Sequence, residues 1–205
     1  MKKVFVFFLL LSIPVISPAQ SLGGDHKFIG GISLSNIRLE SGYYPENPKV
    51  NTRFVVGIGF EQCFWRNTLE EVKVIWEMDV LYLQKGCRAE TGDIRGNFNL
   101  DEISVPMLLK LKFVPGKISP FILAGGEAAY VLSYKNTEGN KLDLKEFTNS
   151  FDYGLVLGGG LFLMIDTFGF NIEARYHYGL ADLGNESSGS HFETSTFVIA
   201  AGILF

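Results

Sequence analysis

T-S-T-F-V-I-A-A-G-I-L-F, residues 194–205, is the stretch whose reading decides the fold. Phe197, Ile199, Ala201, Ile203 and Phe205 fall on one face of a strand, because side chains alternate with period two. Thr196, Val198, Ala200, Gly202 and Leu204 share the other face and are smaller or less aromatic. Neither face is charged, and the stretch ends on an aromatic residue. If this is a strand of a closed sheet, seven similar strands should precede it.

Working back from it, they do. After a Gly/Ser-rich loop at 182–193, Phe168 to Ala181 sets Phe170, Ile172, Ala174, Tyr176, Tyr178 and Leu180 against Asn171, Glu173, Arg175, His177 and Gly179. The connector Asp166-Thr167 leads back to a strand from Phe147 to Ile165. There Phe151, Tyr153, Leu155, Leu157, Leu161, Leu163 and Ile165 oppose Asp152, Gly154, Gly158 and Gly160. The run Gly158-Gly159-Gly160 is followed by L-F-L-M-I, so it lacks the helix and the Lys of a phosphate-cradling loop. Inward glycine instead leaves room for a large neighbour.

A polar loop at 135–146 precedes this strand. The strand before that loop, Pro120 to Tyr134, reads with Glu127 inward and Ile122, Ala124, Ala128, Tyr130, Leu132 and Tyr134 outward. Pro115-Gly116 marks a turn. Phe98 to Phe113 alternates Ile103, Val105, Met107, Leu109, Leu111 and Phe113 with Glu102, Ser104, Pro106, Leu108, Lys110 and Lys112. Pro106 cannot donate to a ladder, so a bulge or a locally missing bond is expected there.

A loop at 87–97 follows the strand Glu71 to Gly86. Its two faces are Val72, Val74, Trp76, Met78, Val80, Tyr82 and Lys73, Ile75, Glu77, Asp79, Leu81. A helical period would scatter those charges around the circumference. Thr52 to Phe64 sets Phe54, Val56, Ile58, Phe60 and Phe64 against Arg53, Gly57, Gly59, Glu61 and Cys63. Lys27 to Arg38 is the first strand, with a loop at 39–51 after it.

The two faces decide the solvent. One face is almost free of charge. The other holds Arg53, Glu61, Lys73, Glu77, Asp79, Glu102, Lys110, Lys112, Glu127, Asp152, Glu173 and Arg175, with His177. Burying so many ions in an apolar core is prohibitive. Lipid outside and a polar interior remove the conflict. Connectors alternate long and short, as in outer-membrane barrels with longer extracellular loops. The expected fold is therefore all-β, an eight-stranded antiparallel up-and-down transmembrane barrel with both ends of the chain in the periplasm. Aromatic girdles are expected at Phe64, Trp65, Phe113, Phe121, Phe170 and Phe205, and at Tyr82, Tyr134, Phe151, Tyr153 and Tyr178.

The N-terminus supports export. Lys2 and Lys3 precede an apolar run from Val4 to Ile13, and small residues Ser17 and Ala19 suit a cleavage site. Residues 1–20 are expected to be a cleaved signal peptide and 21–205 the barrel domain. No later stretch has about 18 consecutive apolar residues, so no transmembrane helix is expected. The formal net charge of −4, with no Lys/Arg-rich tract, argues against nucleic acid as a partner. Cys63 and Cys87 map to opposite ends of adjacent strands, too far apart for a disulfide.

The chain resembles the PorT-type family of small, porin-like bacterial outer-membrane barrels. The matching pieces are Glu77 followed by Gln84-Lys85-Gly86, then I-S-V-P-M-L-L-K at 103–110. G-L-V-L-G-G-G at 154–160, R-Y-H-Y-G-L at 175–180 and the terminal Phe complete the match. Trp76 stands where that family often has Pro. The resemblance implies the fold, an outer-membrane location, the barrel assembly machinery as a partner and Phe205 as the assembly signal. One member of the family is associated with protein secretion.

Catalysis requires a nucleophile and a base in contact. His177 has Glu173 on its own face, and no Ser is forced beside it. Neither catalytic residues nor a metal or cofactor site is expected. The charged interior reads as a structural network. Three functions remain: a non-enzymatic barrel acting through its extracellular loops, with a protein partner there; a component of an export machine; and a narrow solute channel.

Overall fold

The computed structural model describes residues 24–39, 49–69, 71–91, 94–136, 149–165, 167–181 and 192–205. The signal segment, the loop residues at 40–48, 137–148 and 182–191, and with them His191, lie outside the described residues.

Eight strands run in order: β1 (Asp25–Leu39), β2 (Lys49–Arg66), β3 (Val72–Thr91), β4 (Ile94–Phe113), β5 (Ile118–Asn136), β6 (Phe151–Ile165), β7 (Phe168–Gly179) and β8 (Phe192–Leu204). Each pairs antiparallel with its neighbours, and β1 pairs with β8 to close the barrel. Closure leaves no free sheet edge, as a lipid-embedded sheet requires. The seam is secured past the last strand residue, where the backbones of His26 and Phe205 exchange two hydrogen bonds of 3.0 Å. The Phe205 ring stacks on Phe28 outside, with centroids 5.3 Å apart.

Burial tracks the alternation. On β6, Phe151, Tyr153, Leu155, Leu157 and Leu161 are exposed, whereas Asp152 and Val156 are buried. The same alternation along all strands wraps the barrel in exposed Phe, Leu, Ile and Val. Such a continuous apolar surface is stable only against lipid.

The structure corrects the sequence reading at several places. β3 and β4 do not stop at a long loop over 87–97. Their backbones stay paired through Arg88↔Asn97 and Glu90↔Arg95 to Thr91↔Ile94. Strands of 20 residues exceed the roughly 9–11 needed to span the hydrocarbon, so this hairpin projects beyond it. Tyr134 is buried rather than outward. Asp101 pairs with Ser133 but Glu102 with Val131, so a bulge at Leu132 reverses the facing of the strand residues beyond it. A second bulge between Cys63 and Trp65 lets the adjacent Phe64 and Trp65 both face out.

Phe121 is also buried, at 3% exposure, and is no girdle residue. It stands opposite Gly160 in the register. A Cβ on Gly160 would lie 2.7 Å from the Phe121 ring, so the glycine makes the ring's place. At Pro106 the β3–β4 ladder loses pairs between Met78↔Met107 and Leu81↔Ser104 and resumes in the same register. This is the missing bond without a bulge. Cys63 is free and stands opposite Ile75, whereas the backbone of Cys87 pairs with Val50 far along the same two strands.

Candidate functional site

The lumen is the chemically dense part of the molecule. Inward positions of eight strands converge on an interior only wide enough for side chains to fill. Two apolar clusters occupy part of it: Ile29, Val55, Leu81, Leu83, Val198 and Ala200, and Leu108, Phe121, Leu123, Val156, Phe162 and Leu204. The interior is thus less uniformly polar than the charged face suggested.

Beside these clusters lies an ionic knot in the half nearer Asp25 and Phe205. Arg175 on β7 donates from Nη1 to Asp79 Oδ2 at 2.7 Å and from Nη2 to Glu77 Oε1 at 2.6 Å. Nη2 also pairs with Glu173 Oε1 at 2.6 Å. Lys110 on β4 donates to Glu61 Oε1 at 2.6 Å and pairs with Glu77 Oε2. Lys27 on β1 donates to Glu77 and lies 3.4 Å from Asp79 Oδ1 and 3.6 Å from Glu61 Oε1. Glu77, fully buried, therefore meets three cations. Lys110 also caps the Phe121 ring, 4.5 Å from its centroid, a favourable use of the aromatic face.

Lys27 reaches the knot through a slot. Cβ atoms on Gly59 and Gly202, on the two flanking strands, would come within 3.1 and 3.3 Å of its side-chain carbons. Its apolar stem runs along the wall and delivers the ammonium to the centre.

In the opposite half the ions form looser pairs. Lys85 Nζ lies 2.7 Å from Glu102 Oε1 and 3.3 Å from Asp152 Oδ2 and Thr194 Oγ1. Thr194 donates to Asp152 at 3.2 Å. His177 Nδ1 lies 2.8 Å from Glu127 Oε2, and Ser104 Oγ donates to that same oxygen at 2.7 Å. Serine, glutamate and histidine are assembled here in the wrong order for acyl transfer. A nucleophilic serine must contact the histidine, with the carboxylate behind it. Here the carboxylate lies between them, and His177 Nε2 has no hydrogen-bond partner among the described residues.

Of the expected lumen set, Glu61, Glu77, Asp79, Lys110, Glu173 and Arg175 share the knot, and Glu102, Glu127 and His177 lie in the other half. Arg53, Lys73 and Lys112 stand apart from both groups. Arg53 donates to Asn99. Lys112 Nζ sits 3.8 Å from the Phe162 ring centroid. Lys73 lines a cavity of about 310 Å³ at the mouth nearer the chain ends. The structure adds Lys27 and Lys85, which sequence reasoning left out. Their odd numbers put both on the inward phase of their strands, the signal that could have found them. Among the described residues, no group of three or more His, Cys, Asp or Glu side chains is placed to hold a metal ion.

Comparison with known proteins agrees with this architecture. Residues 20–185 match the model of the family described as outer membrane protein beta-barrel domain. Among solved structures, the outer membrane protein OprG from Pseudomonas aeruginosa is similar with a TM-score of 0.50 and 13% identity, over 90% of this chain and 97% of that one. Neisserial surface protein A gives 0.50 and 11%, over 89% and 97%. The attachment invasion locus protein Ail of Yersinia pestis gives 0.41 and 18%, over 89% and 99%. At such identities the likeness to OprG and to Neisserial surface protein A concerns the fold alone. No curated protein matches the chain.

Proposed function

The chain belongs to the outer membrane protein beta-barrel domain family, and from that premise we propose that it is a non-enzymatic outer-membrane barrel with a plugged lumen, acting through protein contacts at its extracellular loops. The observation that carries this reading is the knot itself. Lys27, Glu61, Glu77, Asp79, Lys110, Glu173 and Arg175 are each at most 4% exposed, in a lumen that also holds two apolar clusters. A lumen filled at that level leaves no continuous aqueous path. The inverted order of Ser104, Glu127 and His177 supports a structural role for the one histidine in the interior cluster. With function withdrawn from the lumen, it falls to the loops, the exposed and variable parts of such folds.

In this reading both described ends face the periplasm, residues 1–20 are a cleaved export signal and Phe205 is the signal read by the barrel assembly machinery. The β3–β4 hairpin then projects outward as a platform. A role in an export machine shares this geometry and differs only in the partner. Purified protein in a planar lipid bilayer should show no steady porin-like conductance. A stable, large conductance from the unmodified protein overturns the plugged-barrel reading in favour of a solute channel. Affinity capture from native membranes then separates a secretion partner from a surface-loop partner.

A further inference from the structure

The cavity at the mouth nearer the chain ends is unlike the rest of the interior. It lies below the knot, with Glu61 in its inner wall. Lys73, Lys112 and Lys117 line it; Lys73 and Lys112 feel the charge of Asp25, and none of the three is in direct contact with a carboxylate among the described residues. The two acids in the lining are unequal. Glu61 is divided among Lys110, Lys27 and the Lys112 of the lining, so one shared carboxylate and Asp25 stand against three ammonium groups. The remaining wall includes Ile75, Val114, Phe162 and Met164. A volume of about 310 Å³ is at the small end of ligand pockets.

We propose that this cavity binds a small amphipathic anion, a carboxylate on a short apolar chain, entering from the side that carries the chain ends. The ammonium groups of Lys73, Lys112 and Lys117 supply the charge complement. The apolar tail replaces water against Ile75, Phe162 and Met164, where burial is favourable at about 25 cal/mol per Å². The knot closes the inner end, so the site is a dead-end pocket and not a transport path. An ammonium resting on an aromatic face, as Lys112 does on Phe162, is only partly satisfied and can turn to an entering carboxylate.

Cys63 lines the same cavity, is half-buried and is free, which makes it a reporter of occupancy. The protein carrying Cys87→Ser, held in a lipid nanodisc, is treated with a water-soluble maleimide, and the rate of Cys63 modification is monitored by mass spectrometry. Octanoate should slow the reaction several-fold in a saturable manner. Octylamine, with the same tail and opposite charge, and inorganic phosphate, with no tail, should leave the rate unchanged. The pair Lys73→Gln with Lys112→Gln should lose the protection by octanoate while keeping the heat-dependent gel shift of a folded barrel. If that pair does not fold, Lys117→Gln in the β4–β5 turn should weaken the protection by itself. No effect of octanoate, equal protection by octylamine or equal protection by phosphate overturns the proposal.

Discussion

The two halves of the lumen use the same chemistry to different effect. In the knot, Arg175, Lys110 and Lys27 face Glu61, Glu77, Asp79 and Glu173, and carboxylates are shared: Glu77 by all three cations, Glu61 and Asp79 by two each. In the opposite half, among the described residues, Lys85 is the single cation on Glu102 and Asp152, while Glu127 is held by a hydroxyl and an imidazole. Shared contacts make the knot cooperative, so removing one member strands several groups. The looser half is built from serial contacts whose losses stay local. A buried ion pair is not by itself a large source of stability, but a broken one is costly. Sensitivity to truncation should therefore fall from the knot outward.

The largest effect is expected for Arg175→Met, which keeps the stem and leaves Glu77, Asp79 and Glu173 without their guanidinium. It should destabilise the barrel by at least about 3–5 kcal/mol, the cost of breaking one buried pair, in urea unfolding from lipid vesicles. Lys85→Met in the other half strands Glu102 and Asp152 and should lie at the lower end, about 3 kcal/mol by the same measurement. If Lys85→Met costs more than Arg175→Met, the contrast between the halves is wrong.

Gly59→Ala sharpens the comparison through packing. Its Cβ would run into Asp79 Oδ1 and come within 3.1 Å of the Lys27 stem, so the slot closes and the knot must shift. The expected cost is about 1–3 kcal/mol, as for overpacking elsewhere. In a Lys27→Ala background the same change should cost less, and strict additivity in that double-mutant cycle would remove the slot argument. Ser104→Ala should show the smallest effect, about 1.5 kcal/mol, the low end for a hydrogen bond to a charged group. His177 still holds Glu127 in that variant.

Much of this was legible in the residues. Glu77, Asp79, Lys110, Glu173 and Arg175 could be placed inward because facing in a regular strand depends only on sequence parity. The errors fall where parity fails, where it is set aside or where a neighbouring strand intervenes. Tyr134 reads as outward until the bulge at Leu132 shifts the phase. Phe121 shares the inward parity of Glu127, so the girdle assignment conflicts with the strand's own alternation, and Gly160 opposite supplies the room for the ring. The loop over 87–97 carries turn residues at Gly92, Asp93 and Gly96, yet cross-strand pairing continues up to the turn because β3 and β4 each supply a partner for the other.

The sequence by itself determined the number of strands, the face each residue takes in its regular stretches, and the need for lipid outside and charge inside. These are local properties, set by the two-residue period and by the cost of placing ions in an apolar medium. Only the tertiary structure decided which ion meets which. Lys27 reaches Glu77 from a position 50 residues away, and Arg175 reaches Asp79 across 96. Those partners are chosen by strand order, register and barrel closure, which bring distant strands to face one another across a lumen narrow enough for side chains to touch.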